Sequence, residues 1–291
     1  GTGSTSRTIA EVEEALNTNS LRPELLSKTG GGQHHFLATL VDYYFYIDIS
    51  VDALDFEQEY IIPFPRITFG YFFDHPFLVT NHNLNQSRTV SMVISRISSH
   101  KITVQSQSDR IKIIGAHVRP YTLAYLTQKP ISSFPWLIDT EELFGDTAKR
   151  FRQKIDQCTD PEQMFDAVEK VFLDTLLTRD LSTITQAVDL IEQRSGDIKL
   201  TEVAQQLNVS ERTLRNQFSA NVGCTPKGYL QLVKLKKSVY DMRFSDHSLT
   251  DITYDSHYFD QAHFINSVKR ITGKSPKKLR KELPSFRFLQ F

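Results

Sequence analysis

The chain has few cysteines and no long apolar run. Its two cysteines, Cys158 and Cys224, are too few for a disulfide framework, and such sparse use is typical of a protein in a reducing cytoplasm. No apolar stretch approaches the roughly 18 residues that a membrane-spanning helix requires. The small polar residues 1–6 indicate an expression scar or flexible tail and not a signal peptide. We therefore expect a cytoplasmic protein without a membrane partner.

Motifs of common enzymes are also missing. The sequence has no Gly-rich phosphate loop, no Gly-x-Ser-x-Gly and no His-Glu-x-x-His. Six histidines lie in the first 120 residues: His34, His35, His75, His82, His100 and His117. None forms a His-x-His pair, which would place two metal ligands on one face of a strand. We expect no enzyme activity, no cofactor and no metal, although a metal site built from dispersed histidines stays open as an alternative.

The formal net charge of the 291 residues is zero, but the charge is divided unequally. Residues 181–291 contain 17 Lys and Arg against 11 Asp and Glu, a net of +6, and residues 1–180 hold the remaining 17 against 23, a net of −6. A chain of this length is expected to form two domains. The basic half can attract phosphate groups, whereas the acidic half is expected to lie away from nucleic acid.

A degenerate repeat occupies the basic half. Residues 200–203 (Leu-Thr-Glu-Val) recur as 249–252 (Leu-Thr-Asp-Ile), and residues 223–227 (Gly-Cys-Thr-Pro-Lys) recur as 273–277 (Gly-Lys-Ser-Pro-Lys). The first pair is 49 positions apart and the second is 50, so the second copy gains one residue between them. A repeat of this size is one supersecondary unit that occurs twice.

Each copy predicts a helix, a tight turn and a second helix. Ser210 and Asp260 are N-caps for the second helices. Val209 with Leu214, and Phe259 with Phe264, are spaced for hydrophobic staples. The remaining polar residues are expected to face outward, namely Glu211, Arg212, Arg215, Asn216 and Ser219 in the first copy, and Gln261, His263, Asn266, Lys269 and Arg270 in the second. Paired helices whose second member has an exposed polar face indicate helix-turn-helix units for the DNA major groove.

The region from Leu181 to Pro284 resembles the DNA-binding domain of the AraC/XylS family of bacterial transcription regulators. The strongest match is residues 258–264 (Tyr-Phe-Asp-Gln-Ala-His-Phe) followed by residues 269–276. The resemblance implies a first helix-turn-helix unit at about 198–223, a linker helix at about 225–243 and a second unit at about 248–273. This chain departs from the family at Asn216 and Asn266, where Arg is frequent, and at His257, where Gly is usual in the second turn.

Position-matching to the family suggests the residues that contact DNA. Base contacts are expected from Arg212, Arg215 and Asn216 in the first unit and from Gln261, His263 and Asn266 in the second, with Glu211 and Lys269 on the same faces. Phosphate contacts are expected from Lys227, Lys234, Lys277 and Lys278. For each base-contacting candidate, a phosphate contact or a solvated side chain is the alternative. The expected partners are double-stranded DNA and RNA polymerase.

The N-terminal half has a different pattern. Residues 9–16 indicate a short helix and residues 29–32 a hinge, within a tail at 1–30. Short strand-like runs then follow at 39–49, 59–73, 77–81, 89–97, 101–107 and 110–118, with a predicted hairpin turn at 106–109. Helical periodicity begins at Tyr121, and Asp160-Pro161 starts one helix. The predicted fold is multidomain, with an α+β barrel or sandwich at 31–180 and an all-α domain at 181–291.

Aromatic residues are concentrated in the strand-rich region, where 13 of the 32 lie between Phe36 and Phe77. They are expected to form the barrel core and a face for helices, and some of them to line a pocket for a small, partly apolar effector. The family resemblance, with residues 117–120 (His-Val-Arg-Pro), implies a cupin-like sensor or dimerisation domain. Three alternatives therefore stay open: an effector sensor, a module that only forms a homodimer, and a metal-binding cupin-like enzyme. A fused DNA alkylation-repair module, which holds zinc with four cysteines, is excluded by the two cysteines.

Overall fold

The computed structural model describes residues 21–22, 36–50 and 58–283. The helix expected at 9–16, the hinge at 29–32, and His34 and His35 lie outside these residues. No helix in the described ranges is long and apolar enough to cross a membrane.

Two antiparallel sheets form the N-terminal half, which confirms the predicted β-rich domain. The strands are β1 Leu21–Arg22, β2 Val41–Ser50, β3 Gln58–Ile61, β4 Ile67–Phe72, β5 Phe77–Asn81, β6 Gln86–Val90, β7 Met92–Ile94, β8 Ile102–Ser106 and β9 Arg110–Val118. The first sheet has the order β1-β2-β9-β4-β7 and the second the order β3-β8-β5-β6. The two sheets enclose the apolar side chains that alternate along their strands.

Three strand-level predictions were wrong in the same way. The expected run 59–73 is two strands in different sheets, β3 and β4, separated by a stretch with Pro63 and Pro65. The run 89–97 likewise divides into β6 and β7. The turn at 106–109 does not close a hairpin, because β8 pairs with β3 and β5 whereas β9 pairs with β2 and β4. Local alternation identifies a strand but does not identify its partner.

Helices cover the outer face of the first sheet. They are α1 Thr140–Phe144, α2 Asp146–Ile155 and α3 Pro161–Thr175. The ring of Phe69 on β4 lies 5.9, 5.8 and 5.7 Å from the rings of Phe144, Phe151 and Phe172. Since neighbouring strand residues point to opposite faces, Thr68 and Gly70 point toward the second sheet. The aromatic-rich segment therefore supplies both a helix-packing face and an interior wall.

The C-terminal half is all-helical, as predicted. Its helices are α4 Ser182–Gln193, α5 Leu200–Leu207, α6 Glu211–Asn221, α7 Pro226–Phe244, α8 Leu249–Asp255, α9 Gln261–Thr272 and α10 Pro276–Glu282. Leu214 and Phe218 of α6 are fully buried, and Phe218 packs at 5.7 Å from the ring of Tyr229 on the linker helix α7. The two helix pairs thus share α7 as a common support.

The turns of the two units keep the same backbone conformation despite different residues. Asn208 and His257, 49 positions apart, both have left-handed backbones with φ of 53° and 63°. The extra residue of the second copy follows this point, because one residue separates Asn208 from its N-cap and two separate His257 from its N-cap. The Phe259 staple prediction was therefore wrong: Phe259 is 86% exposed, and Tyr258 packs on Phe264 instead, with ring centroids 5.0 Å apart.

Candidate nucleic-acid interface and interior cavity

Helix α6 presents a polar face to solvent. The Ser210 side chain accepts a hydrogen bond from Thr213 N at 3.0 Å, so the helix begins where the sequence predicts. Arg212, Arg215 and Asn216 are exposed, and Glu211 is half-buried. These residues lie at the N-terminal end of the helix, which is the end that contacts bases in helix-turn-helix proteins.

Helix α9 presents the corresponding face of the second unit. Gln261, His263 and Asn266 are exposed, but two of them have partners within the domain. Gln261 donates a hydrogen bond to the Thr250 hydroxyl. His263 Nδ1 accepts from Phe259 N at 3.3 Å, while Asp260 accepts from His263 N at 2.7 Å, a reciprocal arrangement like a capping box. His263 therefore helps to fix the start of the helix, whereas Asn266 lies three residues further along the same exposed face.

One residue of this face was missed by the sequence analysis. Ile265 lies beside Asn266 and is 43% exposed, although it belongs to a helix whose other large apolar residues, such as Phe264 and Val268, are buried. The sequence does contain a signal for this exposure. Ile265 directly follows Phe264, so it falls outside the apolar stripe of the helix and must face solvent.

The four lysines expected to contact phosphate, together with Lys269, which was expected on the exposed face of α9, divide into two groups. Lys227, Lys269, Lys277 and Lys278 are exposed. Lys234 instead donates to His257 O at 3.2 Å and lies 5.8 Å from the centre of the Tyr258 ring. Lys234 therefore supports the second turn from the linker helix, which makes it a weaker candidate for phosphate than the other four.

Comparison with known proteins agrees with this geometry. Residues 203–282 match a family model described as a helix-turn-helix domain. The transcriptional activator RhaS of Salmonella schwarzengrund is 38% identical over 91 residues, which cover 31% of this chain and 33% of the relative. Residues 203–282 therefore form a helix-turn-helix domain. The chain thus matches about a third of the length of the curated relative.

Solved structures that are similar to this chain include two proteins from bacteria. ToxT from Vibrio cholerae has a TM-score of 0.48 and 11% identity, over 82% of this chain and 97% of that one. A regulator with an AraC-type DNA-binding domain from Chromobacterium violaceum has a TM-score of 0.33 and 20% identity, over 35% of this chain and 91% of that one.

A cavity of about 260 Å³ lies between the two sheets of the N-terminal domain. Its wall is mostly apolar and contains Tyr43, Phe45, Phe64, Phe72, Phe77 and Trp136. The polar groups of the wall include Arg66, Arg96, His100 and His117. Within residues 36–50 and 58–283, no three His, Cys, Asp or Glu side chains are grouped so that they could hold a metal ion. The cavity is therefore suited to a small apolar molecule with few polar atoms.

His117 is a neutral polar group in this wall. Its ring stacks on Tyr43 at 4.7 Å and lies 5.5 Å from Phe64. Burial lowers the pKa of His117 to about 3, and the positive charge of Arg66 acts in the same direction although Asp42 opposes it. An uncharged imidazole has one donor and one acceptor nitrogen, so it can orient a ligand without adding charge.

A second wall residue, Arg66, connects the cavity to the helix-turn-helix domain. Its guanidinium donates to Asp42 at 2.5 Å and to both carboxylate oxygens of Glu192 on α4, at 2.5 and 3.2 Å. Tyr229 on α7 donates to the same carboxylate at 2.5 Å. Burial would raise the pKa of Glu192, but Arg66, Tyr229 and Arg119 together lower it. The Glu192 carboxylate on α4 therefore joins the segment before β4, through Arg66, to α7, through Tyr229.

The charged side chains between the N-terminal domain and the C-terminal helices are balanced in number. Arg119 binds Asp189 at 2.9 Å and Glu192 at 3.3 Å, and Lys236 on α7 faces the same group of side chains. Burial, followed by the charge of Arg66, lowers the pKa of Lys236. The network contains the cations Arg66, Arg119 and Lys236 and the anions Asp42, Asp189 and Glu192. Equal numbers of opposite charges reduce the cost of placing them between two domains.

Proposed function

We propose that the chain is a sequence-specific DNA-binding transcription regulator whose N-terminal domain binds a small effector. The observation that carries the proposal is the pair of capped helices, α6 and α9, that expose polar faces at equivalent positions on one helical support. Two such helices are suited to successive major grooves on one side of DNA, about 34 Å apart.

Within this proposal, the first unit contacts bases through Arg212, Arg215 and Asn216, and Glu211 lies at the edge of the contact. The second unit contacts bases through Asn266 and Ile265, with Gln261 and His263 nearer the start of the helix. Arginine suits guanine, asparagine and glutamine suit adenine, and an apolar side chain suits the thymine methyl group. Lys227, Lys269, Lys277 and Lys278 bind phosphates and supply affinity for any sequence.

The proposed effector occupies the cavity between the sheets. Its wall favours a compact, largely apolar molecule, and the neutral His117 offers a hydrogen bond to one polar atom of the ligand. Because Arg66 lies in the same wall and binds Glu192, the ligand is one side chain away from the helix-turn-helix domain.

The proposal also includes the division of the chain into a tail at 1–30, a sensor at 31–180 and a DNA-binding domain at 181–291. It further includes a cytoplasmic location, the absence of enzyme activity and RNA polymerase as a partner.

Selection of DNA from a random pool, with and without cell extract, tests the DNA-binding part. We expect enrichment of one sequence that contains two different sub-sites, because the two recognition faces differ in composition. Failure to enrich any sequence, with the helices intact by circular dichroism, would contradict the proposal.

A thermal-shift screen of small apolar molecules tests the effector part. A genuine cavity ligand raises the melting temperature of the wild type and not that of Val79→Phe, in which an aromatic ring fills the wall. A screen without hits, together with a dimer by size-exclusion mass, would favour a domain that serves only for dimerisation.

A further inference from the structure

Backbone carbonyl groups at the ends of α6 and α9, the two recognition helices, accept hydrogen bonds from side chains of the N-terminal domain. Arg96 Nη2 donates to Gly223 O at 2.7 Å, and Tyr60 Oη donates to Thr272 O at 3.0 Å. Gly223 lies two residues beyond α6, and Thr272 is the last residue of α9. Since Gly223 corresponds to Gly273 in the repeat, the two acceptors lie within one residue of equivalent points.

The two donors come from different sheets. Tyr60 belongs to β3 of the four-stranded sheet, whereas Arg96 follows β7 of the five-stranded sheet by two residues. The cavity lies between these sheets, and both Arg96 and Ile61, the neighbour of Tyr60, are in its wall. The separation of the two donors therefore depends on the separation of the sheets around the cavity.

The contact of the first unit is reinforced. Arg96 also donates to Phe134 O at 2.5 Å, and the hydroxyls of Ser132 and Ser219 lie 3.1 Å apart. At the second unit, the Lys274 ammonium lies 5.7 Å from the centre of the Tyr60 ring. The first unit is thus attached at Ser219 of α6 and at Gly223, two residues beyond this helix, and the second unit is attached at Thr272, the end of α9, and at Lys274 in the turn that follows.

Arg96 is also the group through which a ligand can act. Its Nε–H is buried and has no acceptor in the described part of the chain. An unmade hydrogen bond of this kind is unfavourable, because the buried donor has lost water without gaining an acceptor. A ligand oxygen at this wall can accept a hydrogen bond from Nε–H and thereby move the guanidinium relative to the carbonyls of Phe134 and Gly223.

We propose that Tyr60 and Arg96 set the distance between the two recognition helices, and that a ligand in the cavity changes this distance. The proposal rests on the proposed function and specifies how its two halves are coupled. Two helices that bind successive grooves must match the spacing of the two sub-sites. A change in their distance therefore alters binding to DNA with both sub-sites far more than binding to DNA with one.

The experiment measures affinity for the selected DNA, for a series in which the spacing of the two sub-sites varies by one to three base pairs, and for single sub-sites. The full chain is compared with Tyr60→Phe and Arg96→Met. Matched controls are Tyr71→Phe, whose hydroxyl binds Asp156, and Arg110→Met, whose guanidinium binds Asp48, both within the N-terminal domain. Gly70→Leu imitates a ligand, since a side chain begun there meets Val93 and Ile113 only at ordinary contact distances of 3.6 and 3.9 Å.

We expect the wild type and both controls to prefer one spacing by roughly tenfold or more, which lies within the range of coupling between sites. Tyr60→Phe and Arg96→Met should lose most of that preference while affinity for single sub-sites stays unchanged. Gly70→Leu should change the preferred spacing. The proposal is overturned if Tyr60→Phe and Arg96→Met, folded as judged by thermal unfolding, keep the wild-type preference. A wild type that selects no DNA sequence would instead refute the proposed function, and this result is visible before any variant is made.

Discussion

Arg66 and Glu192, 126 positions apart in the chain, form a two-point ion pair between the β-rich domain and the first helix of the C-terminal half. The Arg66 side chain is 8% exposed and that of Glu192 is 18% exposed. The negative charge of Glu192 and that of Asp42 raise the pKa of Arg66 against the effect of burial. The boundary between the two domains is therefore held by buried charge and not by apolar contact alone.

Glu192→Gln should lower the free energy of unfolding by about 3 kcal/mol, because it leaves Arg66 buried with Asp42 as its remaining charged partner. Urea unfolding followed by fluorescence measures the loss. Glu142→Gln is the control, since the Lys129–Glu142 pair is exposed and such pairs contribute about 0–1 kcal/mol. Equal losses in the two variants would show that burial adds nothing to the Arg66 pair.

Arg215→Ala should cost about 1–3 kcal/mol on the selected DNA and relax the preference at one base position. Lys277→Ala should instead weaken binding to all sequences and reduce the salt dependence by about one phosphate contact. Arg88→Ala is the control, because Arg88 is an exposed basic residue on strand β6 of the N-terminal domain. Equal losses for Arg215→Ala on selected and random DNA would mean that Arg215 contacts only phosphate.

Ile265→Ala should weaken the selected DNA by about 1 kcal/mol if Ile265 packs against a thymine methyl group. The decisive measurement is a double-mutant cycle in which each thymine of the second sub-site is replaced by uracil, which lacks only that methyl. One replacement should weaken the wild type and leave Ile265→Ala unaffected. Purely additive effects at every thymine would place Ile265 outside the base contacts.

The free energy of unfolding should fall between pH 7 and pH 5 because of His117. The pKa of His117 is about 3 in the folded state against an ordinary value of 6.5, so below pH 6.5 the unfolded chain binds a proton that the folded chain does not. This difference lowers stability by about 2 kcal/mol at pH 5. His117→Phe should remove this part of the slope, whatever its effect on stability at pH 7. An unchanged slope would indicate a protonated His117 in the folded state.

His257→Gly should raise the free energy of unfolding by about 0.5–1 kcal/mol, because glycine adopts a φ of 63° without steric cost. The pair between His257 and Asp197, at 3.4 Å, is partly exposed and adds little. Asn208→Gly, at the equivalent turn, is the comparison and should gain less, since asparagine tolerates this conformation. A loss of stability in His257→Gly would assign the Asp197 contact a larger role than its exposure suggests.

Local features of this fold could be predicted from the sequence, whereas long-range ones could not. The N-caps Ser210 and Asp260 form as expected, because a cap depends on three or four neighbouring residues. The staple failed at Phe259, because the inserted residue moves Tyr258 into the inward position. Sheet membership and the contacts of Arg96 join residues far apart in the chain, and no local pattern encodes them.

The two glycines that end the recognition helices have unequal surroundings. A Cβ on Gly223 would lie 2.9 Å from Ile131, whereas nothing lies within 4 Å of a Cβ on Gly273. The contact that Tyr60 makes uses the backbone oxygen of Thr272, which any residue would supply. For grafting between related proteins, the second unit is therefore the interchangeable part, and the first must be transferred together with the segment around Ile131 that packs on it.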